Sequence, residues 1–419
     1  MPSSDQNPPE SPAASSRSHY GRWLGTFRFA DLRVLWASTL CSQFGQGMQQ
    51  VVLVWLMYES TGSVIRIAEL YAVRSLPNLL VGLAAGSVAD RLDRRLLMRY
   101  SVWGMMLTSL SMAALHYSGN LTVWPLLLLA FVLGTLQAFY LTARQVYAFD
   151  IVGSSGAVSG IAAISLAQRI GEVLGALLAG WLIEGFGPAV SILTMGASYF
   201  SGALMMYFLG RPGGMSSTER ESLRENLLNY LRALRSNRVM LVLIISTVAV
   251  EILGFSHQVM IPVLALEVLK VGPVGLGVLI AFRSVGGALG VTALTVLGQV
   301  QRQGIFLLVT LGLFGLGQIL LGQSLNFWMA LVFVTFVNVM AAITDVLHQS
   351  LLQSSVSNEQ RGRAMGSWTV AVGTAPLGQL QIGYLADLSG SRIALLVNGA
   401  GLAALALIMA VIMPRLRRL

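Results

Sequence analysis

Asp345 and His348 stand three residues apart in the apolar stretch AITDVLHQSLL, so on a helix they share a face. An acid beside an imidazole suits a proton relay, and solvation at the polar end of the stretch accounts for the pair as well. Glu251 is a second acid of this kind, near the middle of the apolar run 239–265, and Arg283 lies near the middle of the run 273–298. If the two pair, Glu251 stays ionised. If Glu251 is unpaired, it is a candidate proton carrier. Arg169 and Glu172 are again three apart on one face, where they can neutralise one another as a structural ion pair or serve as a site.

Amides form a second group. In CSQFGQGMQQVVLVWLMY, Gln43, Gln46 and Gln50 are spaced three and four apart and share a face, with Met48 and Gln49 turned elsewhere. Amides in an apolar medium need partners, so that face must point to a bundle interior or a watery cavity. Ligand contact and helix packing both satisfy it. Gln137 with Tyr140, and Asn338 and Gln379 from later runs, could face the same cavity. A cavity of amides and aromatics with few fixed charges suits a bulky amphiphilic solute better than an inorganic ion or a sugar phosphate. His257 reads as a wetted residue nearer the outer end, and Glu69 and Arg74 as groups near the outer end of their run, where Arg74 can snorkel.

The elements that hold these groups follow from composition. Of 419 residues, 55% are hydrophobic and only 11% charged, whereas an ordinary soluble domain carries about 25% charged residues. Apolar runs recur near 32–58, 66–89, 96–117, 122–143, 157–183, 187–209, 239–265, 273–298, 304–323, 326–352, 363–386 and 391–413. A run of about 20 residues crosses a hydrocarbon core of about 30 Å at about 1.5 Å per helical residue. The expected fold is therefore an all-α membrane protein with twelve transmembrane helices in two six-helix bundles, at 30–209 and 239–419. Residues 1–29 read as a disordered cytoplasmic tail. The polar segment 210–238 reads as a cytoplasmic linker with an amphipathic helix, from Leu223, Leu227, Leu231 and Leu234 at helical spacing behind a Thr218/Glu221 capping box.

Arginines set the orientation. One side of the twelve runs holds Arg91, Arg94, Arg95, Arg99 and Arg144, six arginines from Arg211 to Arg238, and Arg302, Arg361, Arg363, Arg415, Arg417 and Arg418. The other keeps Arg66, Lys270 and Arg392. Both termini are expected on the cytoplasmic side. The net charge of +9 is then a topology signal, and no basic stripe with interleaved aromatics points to nucleic acid. A single cysteine, Cys41, leaves no disulfide framework or cysteine metal site within one chain. No Walker loop, HExxH or Gly-x-Ser-x-Gly elbow indicates an enzyme, and no cofactor or metal is expected.

Glycines followed by acids recur. GSVAD holds Gly86 and Asp90, GWLIEGFG holds Gly180 and Glu184, and GYLADLSG holds Gly383 and Asp387, each at the end of a run. Three-helix units repeated in two halves are the plan of transporters built from inverted repeats. Gly171, Gly175 and Gly180 are spaced for close helix packing.

GSVADRLDRR, LTARQVYAFDIV, QRIGEVLGALLAG and the pair NEQRGRAMGSW and GTAPLG together resemble the major facilitator superfamily over about 30–415. Asp93 stands where the broad loop signature has Gly, a variant similar to the branch of enterobactin exporters and macrolide efflux pumps. Thr142, Phe149 and Ala176 replace prolines of that branch. The resemblance implies that Gly86, Asp90, Arg91, Arg94 and Arg95 form a conformational latch on the cytoplasmic side. It also implies a proton-coupled exporter of a small molecule, working as a monomer in the bilayer of a bacterial inner membrane. An importer, a facilitator, or a non-transporting receptor or lipid-handling protein on the same fold are the alternatives.

Overall fold

The computed structural model describes residues 28–89, 93–210, 238–298, 301–356 and 361–413. The expected tail up to residue 27, the linker helix and the latch residues Asp90 and Arg91 fall outside the described residues. Every regular element among the described residues is helical. In lipid that is the economical solution, since a helix satisfies its own backbone polar groups.

The first half comprises α1 (Ala30–Thr61), α2 (Val64–Ala89) and α3 (Arg94–Tyr117). A helical stretch from Val123 to Phe186 follows, broken at Gly153, where φ 68° and ψ 179° are outside helical values. It supplies α4 (Val123–Gly153) and α5 (Ser159–Phe186). The half closes with α6 (Pro188–Met205). The second half comprises α7 (Val239–Val268), α8 (Gly272–Leu297), α9 (Gln303–Gly322) and α10 (Phe327–Ser354). Next comes α11, in two pieces (Arg361–Val372 and Ala375–Ser389), and last α12 (Ser391–Ile412). Among the described residues eight of the helices, α4 to α10 and α12, are long and apolar enough to cross a membrane. The remaining four include the glutamine-bearing α1 and the broken α11.

Two helices are irregular where function is expected. In α7, widened π turns at Val250–Phe255 and Leu264–Val268 flank a short α segment that contains Pro262, which has no N–H to give the ladder. Glu251 sits in the first of these turns. In α11 the ladder stops at Gly373 and Thr374 and restarts behind Pro376.

One end of the bundle is made of tight turns. Gly62, Gly119, Gly187, Gly272 and Gly390 adopt φ of 59°, 71°, 82°, 64° and 85° there, left-handed values open to glycine. Pro188 and Pro273 follow two of these glycines and start the next helix, so a Gly-Pro pair both ends and begins an element.

Small residues decide how closely the helices approach. A Cβ on Gly171 would lie 2.7 Å from the Leu40 carbonyl oxygen, and one on Gly175 would meet the Phe44 carbonyl oxygen, so α5 lies directly on α1. The two halves meet in the same way. A Cβ on Gly277 of α8 would lie 2.5 Å from the Ala176 oxygen of α5, and Gly180 faces the Pro273 carbonyl. Gly383 of α11 faces Ala68 of α2. All of these cross-half contacts fall toward the end that carries the tight turns.

Candidate functional site

Between the halves lies a cavity of about 420 Å³. It adjoins a second of about 230 Å³ that shares Arg169, Phe255, Gln258, Arg283 and Asp345 with it. Both halves line the larger one: Gln46 and Gln50 from α1, Tyr71, Arg74 and Ser75 from α2, Gln137 from α4, and Arg169 and Glu172 from α5. From the second half come Glu251 and Gln258 of α7, Arg283 of α8, Asp345 of α10, and Trp368 and Gln379 of α11. Shared Val291 and Val346 continue the space along α8 and α10 to Gly298 and Gln303, at the end opposite the tight turns.

Glu172 is a hub. Its carboxylate accepts from Gln168 Nε2 at 2.9 Å, Gln43 Nε2 at 3.3 Å and Ser284 Oγ at 3.4 Å, and Arg169 Nη1 lies 3.5 Å away. Gln168 in turn accepts from Arg144 Nη2 at 2.6 Å. Glu172 is 7% exposed, and a buried carboxylate needs this many partners. The Ser284 bond reaches across the halves.

Among the described residues two other side-chain bonds cross. Arg283 Nη2 donates to Gln50 Oε1 at 2.5 Å, and Ser75 Oγ donates to Gln379 Oε1 at 2.6 Å. Arg283 also donates through Nη1 to Gln258 Oε1 at 2.7 Å. The expected Glu251–Arg283 ion pair does not form, because amide oxygens occupy the guanidinium fork. Glu251 is buried at 6% exposure and has neither an ion pair nor a hydrogen bond among the described residues. Among the described residues Asp345 accepts only from Gln349 Nε2, at 3.2 Å on its own helix.

The other expected cavity residues divide. Gln46, Gln50, Gln137 and Gln379 line the main cavity, and Asn338 lines the second. Gln43 does not line it, because its amide is turned to Glu172. Tyr140 lies behind the wall, fully buried, with the Arg144 guanidinium 5.3 Å from its ring. His348 is also behind the wall. Its Nδ1 donates to the Thr344 oxygen at 2.9 Å and its Nε2 meets Ser246 Oγ at 2.8 Å, so no direct bond joins it to Asp345. His257 is not a wetted residue: it is fully buried, held by the Gly254 oxygen and the edge of Phe314.

Three basic residues differ from expectation. Arg74 lines the cavity and does not snorkel at a helix end. Counting from Val64 would have found it, since ten residues descend about 15 Å. Arg144 is 3% exposed, packed inside the bundle and not lying open at the end of its run. Arg283 bonds amides instead of the expected carboxylate. The cavity therefore holds three guanidinium groups and three carboxyls, and the expectation of few fixed charges is overturned.

Of the latch residues, Arg94 pairs with Asp150 Oδ2 at 2.6 Å. Arg95 donates to the Leu209 carbonyl at 2.9 Å, and Asp93 caps α3 through the Arg95 amide. These contacts tie α3 to the ends of α4 and α6 within one half. Gly86 lies in α2, one turn before the undescribed Asp90.

A family model described as Major Facilitator Superfamily matches residues 35–375. The chain is 21% identical over 364 residues to a Staphyloferrin A transporter of Staphylococcus aureus, covering 85% of this chain and 90% of that protein. Among solved structures, a single-site mutant of the nucleoside transporter NupG superposes with a TM-score of 0.77 at 13% identity, over 91% of this chain and 100% of that one. A bacterial homolog of the human lysosomal transporter Spinster, in an inward-facing and unoccupied conformation, superposes with a TM-score of 0.71 at 14% identity, over 92% of this chain and 98% of that one.

Proposed function

The chain belongs to the Major Facilitator Superfamily and is a multi-pass membrane transporter, and on that premise we propose that it is a proton-coupled secondary transporter working by alternating access. It exports an amphiphilic small molecule across a bacterial inner membrane, as a monomer with both termini cytoplasmic. With that orientation the end closed by tight turns faces outward and the cavity is reached from the cytosol.

The observation that carries this reading is the pair Glu251 and Asp345, which line the cavity without a cation partner among the described residues. An ionised carboxyl sealed into low dielectric is costly, whereas a protonated one is not. Closing the cavity over these two groups is therefore linked to whether they carry protons. His348, one turn from Asp345 and hydrogen-bonded to Ser246 of α7, positions α10 against the helix that bears Glu251. Export is supported by the loop and span motifs, and a siderophore is favoured among amphiphilic substrates by the likeness to a Staphyloferrin A transporter. Drugs or macrolides remain in the same class.

Accumulation of a labelled macrolide, a lipophilic cation and an iron-free carboxylate siderophore in efflux-deficient cells, with and without a protonophore, tests this. Protonophore-sensitive extrusion of the siderophore or macrolide supports it, and accumulation that rises on expression contradicts export.

Proton-driven uptake is the second reading, favoured by one observation. Arg74 and Arg283 lack carboxylate partners among the described residues, so protons on Glu251 and Asp345 and an anion at the arginines favour each other's binding. Substrate and proton moving in the same direction would establish it.

A further inference from the structure

Arg283 presents both terminal nitrogens of its fork to neutral amide oxygens, Gln50 Oε1 at 2.5 Å and Gln258 Oε1 at 2.7 Å. That is the arrangement in which a guanidinium takes the two oxygens of one carboxylate, and a charged acceptor makes bonds roughly twice as strong as a neutral one. Arg74, on the other half, lines the same cavity with no hydrogen bond or ion pair among the described residues. The third guanidinium, Arg169, is already matched with Glu172. Two positive charges thus face one space from opposite halves, and among the described residues neither has a carboxylate at ion-pair distance, the partner that a charge at membrane depth normally finds.

The space also limits the ligand. A cavity of about 420 Å³ with amides from Gln46, Gln137 and Gln379 is far larger than an inorganic anion, and offers its remaining donors to hydroxyl or amide groups. Gln46, which lines this space, has its Oε1 buried without a partner among the described residues.

We infer that Arg74 and Arg283 form a subsite for a small molecule carrying two or more carboxylates, one of which displaces the Gln50 side chain from Arg283. Gln50 and Arg283 belong to different halves, so the ligand replaces a direct bond between the halves with a bridge through itself. Binding thereby loosens one of the three side-chain hydrogen bonds that, among the described residues, cross between the halves. This names the substrate class of the transport site above and rests on that reading.

The test is equilibrium binding of citrate and tricarballylate to the purified full chain in lipid nanodiscs, with trimethyl citrate as the uncharged analogue of the same skeleton. Both tricarboxylates bind and the ester does not. Arg74→Gln and Arg283→Gln each weaken binding about tenfold or more, the scale of losing one buried charge pair. Arg66→Gln, outside the cavity lining and paired with Glu69, leaves it unchanged. Gln50→Ala removes the competing acceptor and tightens binding, an effect of opposite sign that damage to the fold does not produce. No tricarboxylate binding, equal binding of the ester, or weaker binding by Gln50→Ala overturns the proposal. The assay needs no transport: binding without proton-linked flux keeps the subsite and contradicts the transport reading, and flux of an uncharged solute without tricarboxylate binding does the reverse.

Discussion

Arg283 of α8 and Gln50 of α1 are joined at 2.5 Å across the line where the two halves of the molecule meet. The bond spends a permanent charge on a neutral amide inside a membrane protein. It leaves Glu251, the carboxyl on the adjacent helix α7, without the arginine that the sequence offers it.

Glu251→Gln separates the proton from the substrate. Net transport driven by a proton gradient falls by about tenfold or more, while substrate exchange at equal pH on both sides stays within about twofold of the parent protein, as expected for a general loss of one protonation event. Parallel measurement of gradient-driven flux and counterflow in proteoliposomes checks this, and Asp345→Asn is expected to behave alike.

Gly175→Val destabilises the first half. The added side chain meets the Phe44 carbonyl oxygen, a backbone atom that cannot swing aside. Overpacking of this kind costs about 1–3 kcal/mol or more. A lower thermal midpoint of the purified protein is the readout, and Gly185→Val, where a Cβ meets nothing within 4 Å, is the matched control.

Arg94 and Asp150 couple. Their side chains are 8% and 29% exposed and their atoms 2.6 Å apart, unlike the Arg66–Glu69 pair at 40% and 30%. Removing Arg94 alone strands a partly buried carboxylate and costs about 1–3 kcal/mol, whereas the exposed pair is worth at most about 1 kcal/mol. A double-mutant cycle with Arg94→Gln and Asp150→Asn, read by thermal midpoint, shows the coupling, and the corresponding cycle on Arg66 and Glu69 does not.

Asp90→Asn reduces transport and leaves membrane insertion intact if the loop after α2 acts as a latch. Flux together with surface-labelled expression decides it, and full transport by the variant removes the latch from the account.

The helices were legible because their signal is long and redundant: a run of apolar residues survives any single exception. The Gly-Pro pairs at 187–188 and 272–273 stand where helices change. The site was legible by face but not by neighbour. Gln43, Gln46 and Gln50 share a face as their spacing requires, yet one turns to Glu172, one to the cavity and one to Arg283, because partners come from helices distant in sequence. Glu251 and Arg283 lie at similar depth, and depth alone cannot say that α1 and α7 supply nearer acceptors for the arginine. Arg74 was misplaced for a simpler reason: arginine near the boundary of an apolar run looks like an anchor, and only the true helix end reveals how far inside it sits.

The central claim is that the two ends of the bundle open in alternation under control of the cavity carboxyls. Distances between spin labels, in a Cys41→Ser background, test it most directly: one pair on Ser60 and Asp387 at the tight-turn end, the other on Phe149 and Val296 at the opposite end. The account predicts that acidification, or Glu251→Gln in its place, shifts the two distance distributions in opposite senses, one lengthening as the other shortens. Distances that stay fixed under both changes, or that move in the same sense, would contradict it.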